Sequence, residues 1–313
     1  MISCTDFIFS YSELFSYIEE NFGADDVRKY WTHLFDPVSG GIALSEIVRR
    51  EGIAGCFSYW KGSLNEEAAD FTMYLNEKRG YFKLQMHYCP SKGRLLEGCG
   101  NCGITPYRDY CLHCDCYRAS IEQVGLKYLY DFTATDKACC SILIYDPKVF
   151  DGRVIVDQDT IIMDRRASDN PYFHQEFHNL LNRGIDYLAK TYGVAAAKAY
   201  LDRFAAGYYQ KDLENICESG LPALIEAIKK AYEKEKCPEA VCFEQEGKHL
   251  IVTTAYCPAV KFIKDTQRPV SEHYLLSIDA VLSAFAKAGG YQLIIDRYDP
   301  ETGGGRYRFE NNQ

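Results

Sequence analysis

The sequence predicts an α+β fold built from two tandem repeats. In each repeat a helical part comes first, and an antiparallel sheet with helices packed on it follows. The first observation is that the tripeptide Tyr-Cys-Pro occurs twice, at 88–90 and 256–258, each time after an apolar run that begins near a glycine. The second is that segments with helical apolar spacing precede segments with period-two spacing in both halves. This pattern indicates duplication of an ancestral unit of roughly 130 residues.

Further segments of the two halves correspond in an unbroken order, at an offset that drifts from 170 to about 164 residues. We therefore divide the chain into a first repeat, 1–146, a connector, 147–176, and a second repeat, 177–313. Two copies in tandem predict an internal pseudo-dimer, so we expect a monomer with that pseudo-dimer or a homodimer. The matching pairs are YIEENFG with YLAKTYG, RKYW with KAYL, EGIAG with SGLPA, YCP with YCP, Asp115 with Asp279, and GLKYLYD with GYQLIID.

The elements of the first repeat follow from its periodicity. Helical spacing predicts helices over SELFSYIEENF, DDVRKYWTHLF, IALSEIVRREG and IAGCFSYWK. Alternation then predicts strands over ADFTMYLNE and YFKLQMHY, with Gly80 in the turn between them. A helix begins at Pro90, another begins near Tyr107, and the strands LKYLYDF and CSILIYD close the repeat. The second repeat follows the same order, and the connector is expected to hold a short strand within VIVDQDTIIM.

Composition excludes several classes of protein. The chain is 47% apolar, which is enough for packed cores. Its formal charge is −9 and it has no basic tract, which argues against a nucleic-acid partner. No run approaches the roughly 20 apolar residues of a membrane span, and the first residues lack the features of a secretory signal. We therefore expect a cytoplasmic protein without membrane contact. In that compartment its fourteen cysteines are expected to be thiols or metal ligands rather than disulfides.

Each Tyr-Cys-Pro segment stands where a strand gives way to a helix. Proline is favoured at the first helical position, so Cys89 and Cys257 are expected at the N-cap. The positive end of the helix dipole and the unpaired N–H groups favour a thiolate there. The interpretation is a nucleophile or a metal ligand, and the alternative is a small buried residue with a packing role.

A cysteine-rich insert follows the first of these segments, within EGCGNCGITPYRDYCLHCDCY. Two Cys-x2-Cys pairs within sixteen residues can complete a tetrahedral site with four sulfurs. Zinc is the expected ion, an iron–sulfur cluster is the alternative, and reduced thiols without a ligand remain a third possibility. The predicted ligands are Cys99, Cys102, Cys111 and Cys114, with His113 and Cys116 as substitutes.

Three further features bear on this region. Asp115 lies four residues after Cys111 and would share a helix face with it. The vicinal pair Cys139-Cys140 opens the last strand and could approach the same site. In the second repeat Leu275 and Ile278 stand in place of Cys111 and Cys114, so that repeat has lost the pairs.

Two histidines at a spacing that can bind a metal lie elsewhere. His174 and His178 stand four apart in PYFHQEFHNLL, which we interpret as an ordinary helix surface because the glutamate of a metalloprotease motif is missing.

The pattern around the insert resembles the L-2-amino-thiazoline-4-carboxylic acid hydrolase family. The matching residues in the first repeat are Tyr88-Cys89, Pro106-Tyr107 with Cys111 and Asp115, and Thr135-Asp136-Lys137-Ala138-Cys139. In the second repeat fewer residues match: Cys257, Asp279 and the glycines at 303–305. The chain departs from the family where Thr135 replaces a glycine and where the pair Cys99 and Cys102 has been inserted. More distantly, the chain is similar to 4-vinyl-reductase-like ligand-binding domains, which are α+β dimers that can carry a cysteine-rich zinc site.

The resemblance implies a hydrolase that opens a C–S or C–N bond in a small heterocyclic or amide substrate. In that hypothesis Cys89 is the nucleophile or a ligand, Asp115 is the general base or orienting group, and His113 assists. The alternative is a non-catalytic small-molecule sensor or binding protein with a structural zinc site. A catalytic zinc keeps an open position, whereas a structural zinc is closed by four protein ligands.

Overall fold

The structure is a computed structural model that describes residues 1–35 and 44–311. It confirms the α+β class, with two antiparallel sheets and helices beside each. The chain forms two compact units. The cysteine-rich unit comprises 18–97 and 107–174, and the pocket unit comprises 1–17, 98–106 and 175–313. The first helix, α1 (Phe7–Phe22), contains the first boundary between them.

The cysteine-rich unit alternates short helices with five strands. Its helices are α2 (Ala24–Phe35), α3 (Leu44–Glu51), α4 (Ala54–Glu66), α5 (Pro90–Gly98) and α6 (Tyr117–Glu122), and a 3-10 helix spans Tyr110–Cys116. Its strands are β1 (Asp70–Asn76), β2 (Tyr81–Tyr88), β3 (Lys127–Asp131), β4 (Cys140–Tyr145) and β5 (Ile161–Arg165).

The core of this unit lies between α4 and the sheet. Cys56, Trp60 and Leu64 recur every four residues along α4 and are buried, which is the apolar stripe expected of a helix on a sheet. The ring of Trp60 stacks on that of Phe82 from β2, with centroids 5.5 Å apart. This contact fixes α4 above the strand that carries Cys89 at its end.

The pocket unit has the same kind of elements. Its helices after α1 are α7 (Glu176–Tyr192), α8 (Val194–Tyr208), α9 (Gln210–Ser219), α10 (Leu221–Lys234), α11 (Pro258–Asp265) and α12 (Leu275–Ala288). Its strands are β6 (Val241–Glu246), β7 (His249–Thr254), β8 (Tyr291–Tyr298) and β9 (Gly305–Asn311). Helix α12 buries Ile278, Val281, Leu282 and Phe285, a spacing that lines up one helix face.

The two sheets share one strand order. The sheet of the cysteine-rich unit runs β3-β4-β2-β1-β5, and that of the pocket unit, read from its far edge, runs β8-β9-β7-β6. In this order β8 corresponds to β3, β9 to β4, β7 to β2 and β6 to β1, and β5 has no counterpart in the second sheet. Every pairing is antiparallel. A shared order of this kind supports the predicted duplication.

The two Tyr-Cys-Pro segments also have equivalent backbone contacts. The N–H of Cys89 donates to the carbonyl of Ala138 at 2.7 Å, just before β4, and the N–H of Cys257 donates to that of Thr302 at 2.9 Å, just before β9. Helices α5 and α11 begin at the prolines that follow, as predicted. Each cysteine carbonyl accepts the first helical hydrogen bond, from Gly93 and Lys261 respectively.

Most of the predicted elements are confirmed. The start of the third predicted helix, residues 42–43, lies outside the described residues. Near Tyr107 the helical turn begins three residues later than expected, at Tyr110, as a 3-10 helix. The connector supplies β5, which pairs with β1. The repeat boundaries stay a prediction, because compact units defined by contacts need not follow an ancestral duplication.

Among the described residues, no helix combines the length and the apolar character that crossing a membrane requires.

Candidate functional site

The four predicted zinc ligands fall in both units. Cys99 and Cys102 belong to the segment 98–106 of the pocket unit, where Cys99 is exposed and Cys102 is half-buried. Gly103 holds this segment, because its N–H donates to the carbonyl of Gly207 at 2.8 Å. Cys111 and Cys114 belong to the cysteine-rich unit. The site with all four sulfurs therefore stays a prediction.

Within the cysteine-rich unit, four cysteines are electrostatic neighbours: Cys89, Cys111, Cys114 and Cys140, named here the thiol cluster. Three structural facts bring them together. Cys89 caps α5, Cys111 and Cys114 stand three apart on a 3-10 helix and so share a side, and Cys140 begins β4 opposite Met86. Of the vicinal pair it is Cys140 that joins the cluster, whereas the thiol of Cys139 donates to the carbonyl of His87 at 2.9 Å.

The protonation of the cluster differs from the sequence expectation. Burial raises the pKa of Cys89 well above its ordinary value, and the neighbouring Cys140 raises it further. The N–H of Lys92, 3.5 Å from the sulfur, acts in the opposite direction but is outweighed. Burial likewise raises the pKa of Cys111, Cys114 and Cys140 to about 12 each. In the metal-free chain desolvation therefore acts against the expected activation of Cys89 by the helix N-terminus, and the role of Cys89 as nucleophile or ligand stays a prediction.

Tyr130 of β3 links two members of the cluster and was missed from the sequence. Its hydroxyl acts on the side chains of Cys114 and Cys140 by lowering the pKa of each, which opposes the effect of burial. Its ring packs against Phe132, with centroids 3.9 Å apart. The strand LKYLYDF carried a signal for it, since alternation places Tyr128 and Tyr130 on one face.

His113 lies beside the cluster with a defined tautomer. Its Nδ1 is 2.5 Å from the carbonyl oxygen of Tyr110, which only accepts, so the ring proton belongs on Nδ1. The lone pair of Nε2 then faces the sulfur of Cys114, 3.7 Å away. Burial lowers the pKa of His113 to about 4. A neutral imidazole held in this way is suited to ligate a metal or to accept a proton. Cys116, at the end of the same 3-10 helix, is half-buried, and burial raises the pKa of its thiol to about 12.

Glu67 is a second residue that sequence reasoning missed. It follows α4 directly and accepts a hydrogen bond from the Ser91 hydroxyl at 3.3 Å. Burial raises the pKa of its carboxyl group, although His174, Ser91 and His113 act against that shift. Its charge in turn raises the pKa of Cys114. Glu67 is therefore a carboxyl group with a raised pKa and an electrostatic neighbour of Cys114.

Asp115, the predicted general base, is engaged by a cation. Arg118 donates to both of its carboxylate oxygens, at 2.6 and 3.3 Å, and both side chains are more than a third exposed. Arg118 also donates to the carbonyl of Tyr128. Asp115 therefore ties the 3-10 helix to α6 and β3, and its catalytic role stays a prediction.

Comparisons of the chain with family models, with curated proteins and with solved structures found no match. The resemblance to the hydrolase family therefore depends on the motif residues alone.

The equivalent region of the pocket unit has lost its thiols. Leu275 and Ile278 occupy the places of Cys111 and Cys114 in sequence, and the strand register shows what replaced Cys140. Cys140 lies opposite Met86 on β2, and Gly305 lies opposite Thr254 at the matching position of β7. Of the four corresponding positions, only 257 keeps its cysteine, and Cys257 is buried. Burial, and next the charge of Cys257, raise the pKa values of four tyrosines: Tyr232, Tyr274, Tyr298 and Tyr307.

An apolar pocket that is partly open to solvent lies in the pocket unit. Ile278 lines it, so the pocket lies in the region where the cysteine-rich unit has Cys114. Hydroxyl groups give it a polar side: the Thr254 hydroxyl accepts the N–H of Gly305 at 2.9 Å, and the Tyr307 hydroxyl is buried without a hydrogen-bond partner among the described residues. Its other lining residues include Tyr209, Val281 and Phe285.

A buried group of metal-ligating side chains lies elsewhere in the pocket unit. Cys4, His178 and Glu235 place a sulfur, a ring nitrogen and a carboxylate oxygen within 4.8 Å of one another. Among residues 1–35 and 44–311 this is the one set of three or more such side chains at that spacing, so the thiol cluster is more open. The interpretation of His178 as helix surface is wrong, because it is 1% exposed. His174 precedes α7 and pairs with Glu66 at 2.7 Å instead.

Proposed function

We propose that this chain is a small-molecule-binding protein in which the thiol cluster holds a zinc ion and the apolar pocket holds the ligand. The single observation that carries the proposal is the protonation of the cluster. Burial and the neighbouring thiols raise the pKa of all four, which favours neutral thiols over an activated nucleophile in the metal-free chain.

A soft divalent cation would reverse this state, because it stabilises thiolates that repel one another in its absence. The donors suit zinc, since the four thiols of the cluster match the four-sulfur set of tetrahedral zinc sites and Nε2 of His113 offers a substitute donor. The half-buried thiols must rotate inward to reach a common ion. A four-sulfur set in one unit and an apolar pocket in the other favour a structural metal and a binding function.

A hydrolase is the second candidate, and a specific observation favours it. Glu67 is a carboxyl group with a raised pKa close to His113 and Cys114. Groups tuned toward neutrality are what general acid–base catalysis needs. A zinc ion with an open position would supply Lewis acidity beside them. The substrate would be a small heterocycle or amide whose C–S or C–N bond is opened.

Metal content tests the zinc proposal. We expect the chain, expressed without added metal and passed through a weak chelator, to retain zinc by elemental analysis. The variant C111S/C114S should lose one equivalent per chain. The control is Cys217→Ser, an exposed cysteine on α9. Equal zinc content in all three proteins would contradict the proposal.

Ligand binding tests the second half of the proposal. A panel of monocyclic aromatic compounds with one polar group should raise the melting temperature of the chain. Ala227→Phe fills the pocket from α10 and should abolish the rise. Ala223→Phe, one turn earlier on α10, should preserve it.

For the hydrolase candidate, the zinc-loaded chain should open 2-amino-thiazoline-4-carboxylate, and Glu67→Gln should abolish turnover without loss of zinc. Turnover would favour the hydrolase over the binding protein.

A further inference from the structure

We propose that Cys4, His178 and Glu235 form a second metal site, inside the pocket unit, that takes a divalent transition-metal ion such as Zn²⁺. Together these three residues are named the buried triad. The proposal is independent of the proposed function, since none of the three belongs to the thiol cluster or lines the apolar pocket.

The triad is assembled from three distant parts of the sequence. Cys4 lies in the irregular segment before α1, His178 lies in the first turn of α7, and Glu235 terminates α10. Lys236, in the left-handed region at φ +58°, ends that helix and fixes the position of Glu235. The carboxylate is thereby held between the other two residues.

The contacts are short and fully internal. One carboxylate oxygen of Glu235 accepts the backbone N–H of Cys4 at 2.6 Å, and the other lies 3.0 Å from Nε2 of His178. The exposed fractions of Cys4, His178 and Glu235 are 1%, 1% and 4%. Side chains of these three types are rarely buried together without a shared role, because an ionised carboxylate is costly to desolvate.

The donor chemistry matches a transition metal. A thiolate, an imidazole nitrogen and a carboxylate oxygen are the three kinds of donor found in tetrahedral zinc sites. Ligand atoms already within 4.8 Å of one another need a small inward movement to reach bonding distance. A set of three leaves a fourth position for water or for another donor.

Charge balance permits the ion to be buried. A thiolate, a neutral imidazole and a carboxylate together carry a charge of −2, which a divalent cation cancels. The loaded triad therefore adds no uncompensated charge to the interior.

The test uses the full chain with Co²⁺ as the probe, in the C111S/C114S background, which removes ligands from the thiol cluster. We expect about one Co²⁺ per chain, with a thiolate-to-cobalt charge-transfer absorption. Adding Cys4→Ser should abolish that absorption, and adding Glu235→Gln should weaken binding at least tenfold. The matched control is Cys237→Ser, a buried cysteine close to Glu235.

Each variant is checked for folding by circular dichroism with chelator present. If Cys4→Ser does not fold, His178→Gln and Glu235→Gln serve in its place. The proposal is overturned if the background chain shows no cobalt–thiolate absorption, or if that absorption survives in folded triad variants. A triad that is only a buried hydrogen-bonded group gives one of these two results. Failure here leaves the zinc content of the thiol cluster unaffected, so the two proposals fail separately.

Discussion

The Nε2 atom of His113 lies 3.7 Å from the sulfur of Cys114, while Nδ1 is committed to the carbonyl oxygen of Tyr110. The imidazole is therefore neutral and oriented toward the cluster before any ion binds. Because its charged form is disfavoured only in the folded chain, His113 links folding to pH.

The first prediction concerns this linkage. The pKa of His113 falls from 6.5 in the unfolded chain to about 4 in the folded chain, so the unfolded state binds more protons between these values. Metal-free stability should therefore fall as the pH falls from 6.5 to 4, by up to about 3 kcal/mol from this residue. Urea unfolding at several pH values measures it.

The control for this prediction is His113→Asn, whose amide N–H can still donate to Tyr110. It should flatten the dependence within that window. The raised pKa of Glu67 gives the opposite pH dependence of stability. Because Glu67 is present in both proteins, its contribution cancels when variant and parent are compared. Identical slopes for the two proteins would exclude the assigned role of His113.

The second prediction concerns thiol reactivity. Since the thiolate is the reactive form, the metal-free chain should alkylate Cys89 at least about tenfold more slowly than the exposed Cys217 at pH 8. Mass mapping after iodoacetamide treatment measures both rates. Preferential alkylation of Cys89 in the parent chain would instead support the nucleophile hypothesis.

The third prediction concerns the turn before β9. Gly303 has φ +68°, and a Cβ atom there would lie 2.6 Å from Cβ of Cys257. Gly303→Ala should therefore lower the free energy of unfolding by about 3 kcal/mol or more, from backbone strain plus the clash. Gly247 has φ +63° but open space around it, so Gly247→Ala should cost only about 1 kcal/mol. Equal losses in denaturant unfolding would show that the clash is absent.

The fourth prediction concerns the core of the cysteine-rich unit. Phe82 is fully buried and stacks on Trp60, so Phe82→Ala should reduce the free energy of unfolding by about 4 kcal/mol. Leu129 on β3 is 51% exposed, and Leu129→Ala should change it by less than about 0.5 kcal/mol. Chemical denaturation of both variants checks this, and a small effect of Phe82→Ala would mean that the core repacks.

The sequence predicted the elements well because their signals are local. The period of the apolar residues marks α4 and β2 without knowledge of the rest of the chain. The strand-to-helix junctions at Cys89 and Cys257 were equally visible, because proline has few favourable places in a helix. The protonation of Cys89 was not predictable in the same way, since it depends on how deeply neighbouring segments bury it.

Long-range partners account for the rest of what was missed. The approach of the pair Cys139-Cys140 was expected, but spacing does not reveal the register of β4 against β2, which brings Cys140 rather than Cys139 into the thiol cluster. Glu67 is a single glutamate after a helix, which is indistinguishable from a surface residue in one sequence. The buried triad joins residues 57 and more positions apart, so periodicity carries no trace of it.

Strand β5 has a consequence for self-association. It covers the outer edge of β1, whereas the corresponding edge of the other sheet, at β6, has no neighbouring strand among the described residues. That edge offers unpaired backbone groups to a second molecule, the route by which sheets join into aggregates. Exposed Glu244 and Glu246 stand on β6, so two such edges would bring like charges together. Electrostatic repulsion between these glutamates thus disfavours the pairing of two molecules through β6.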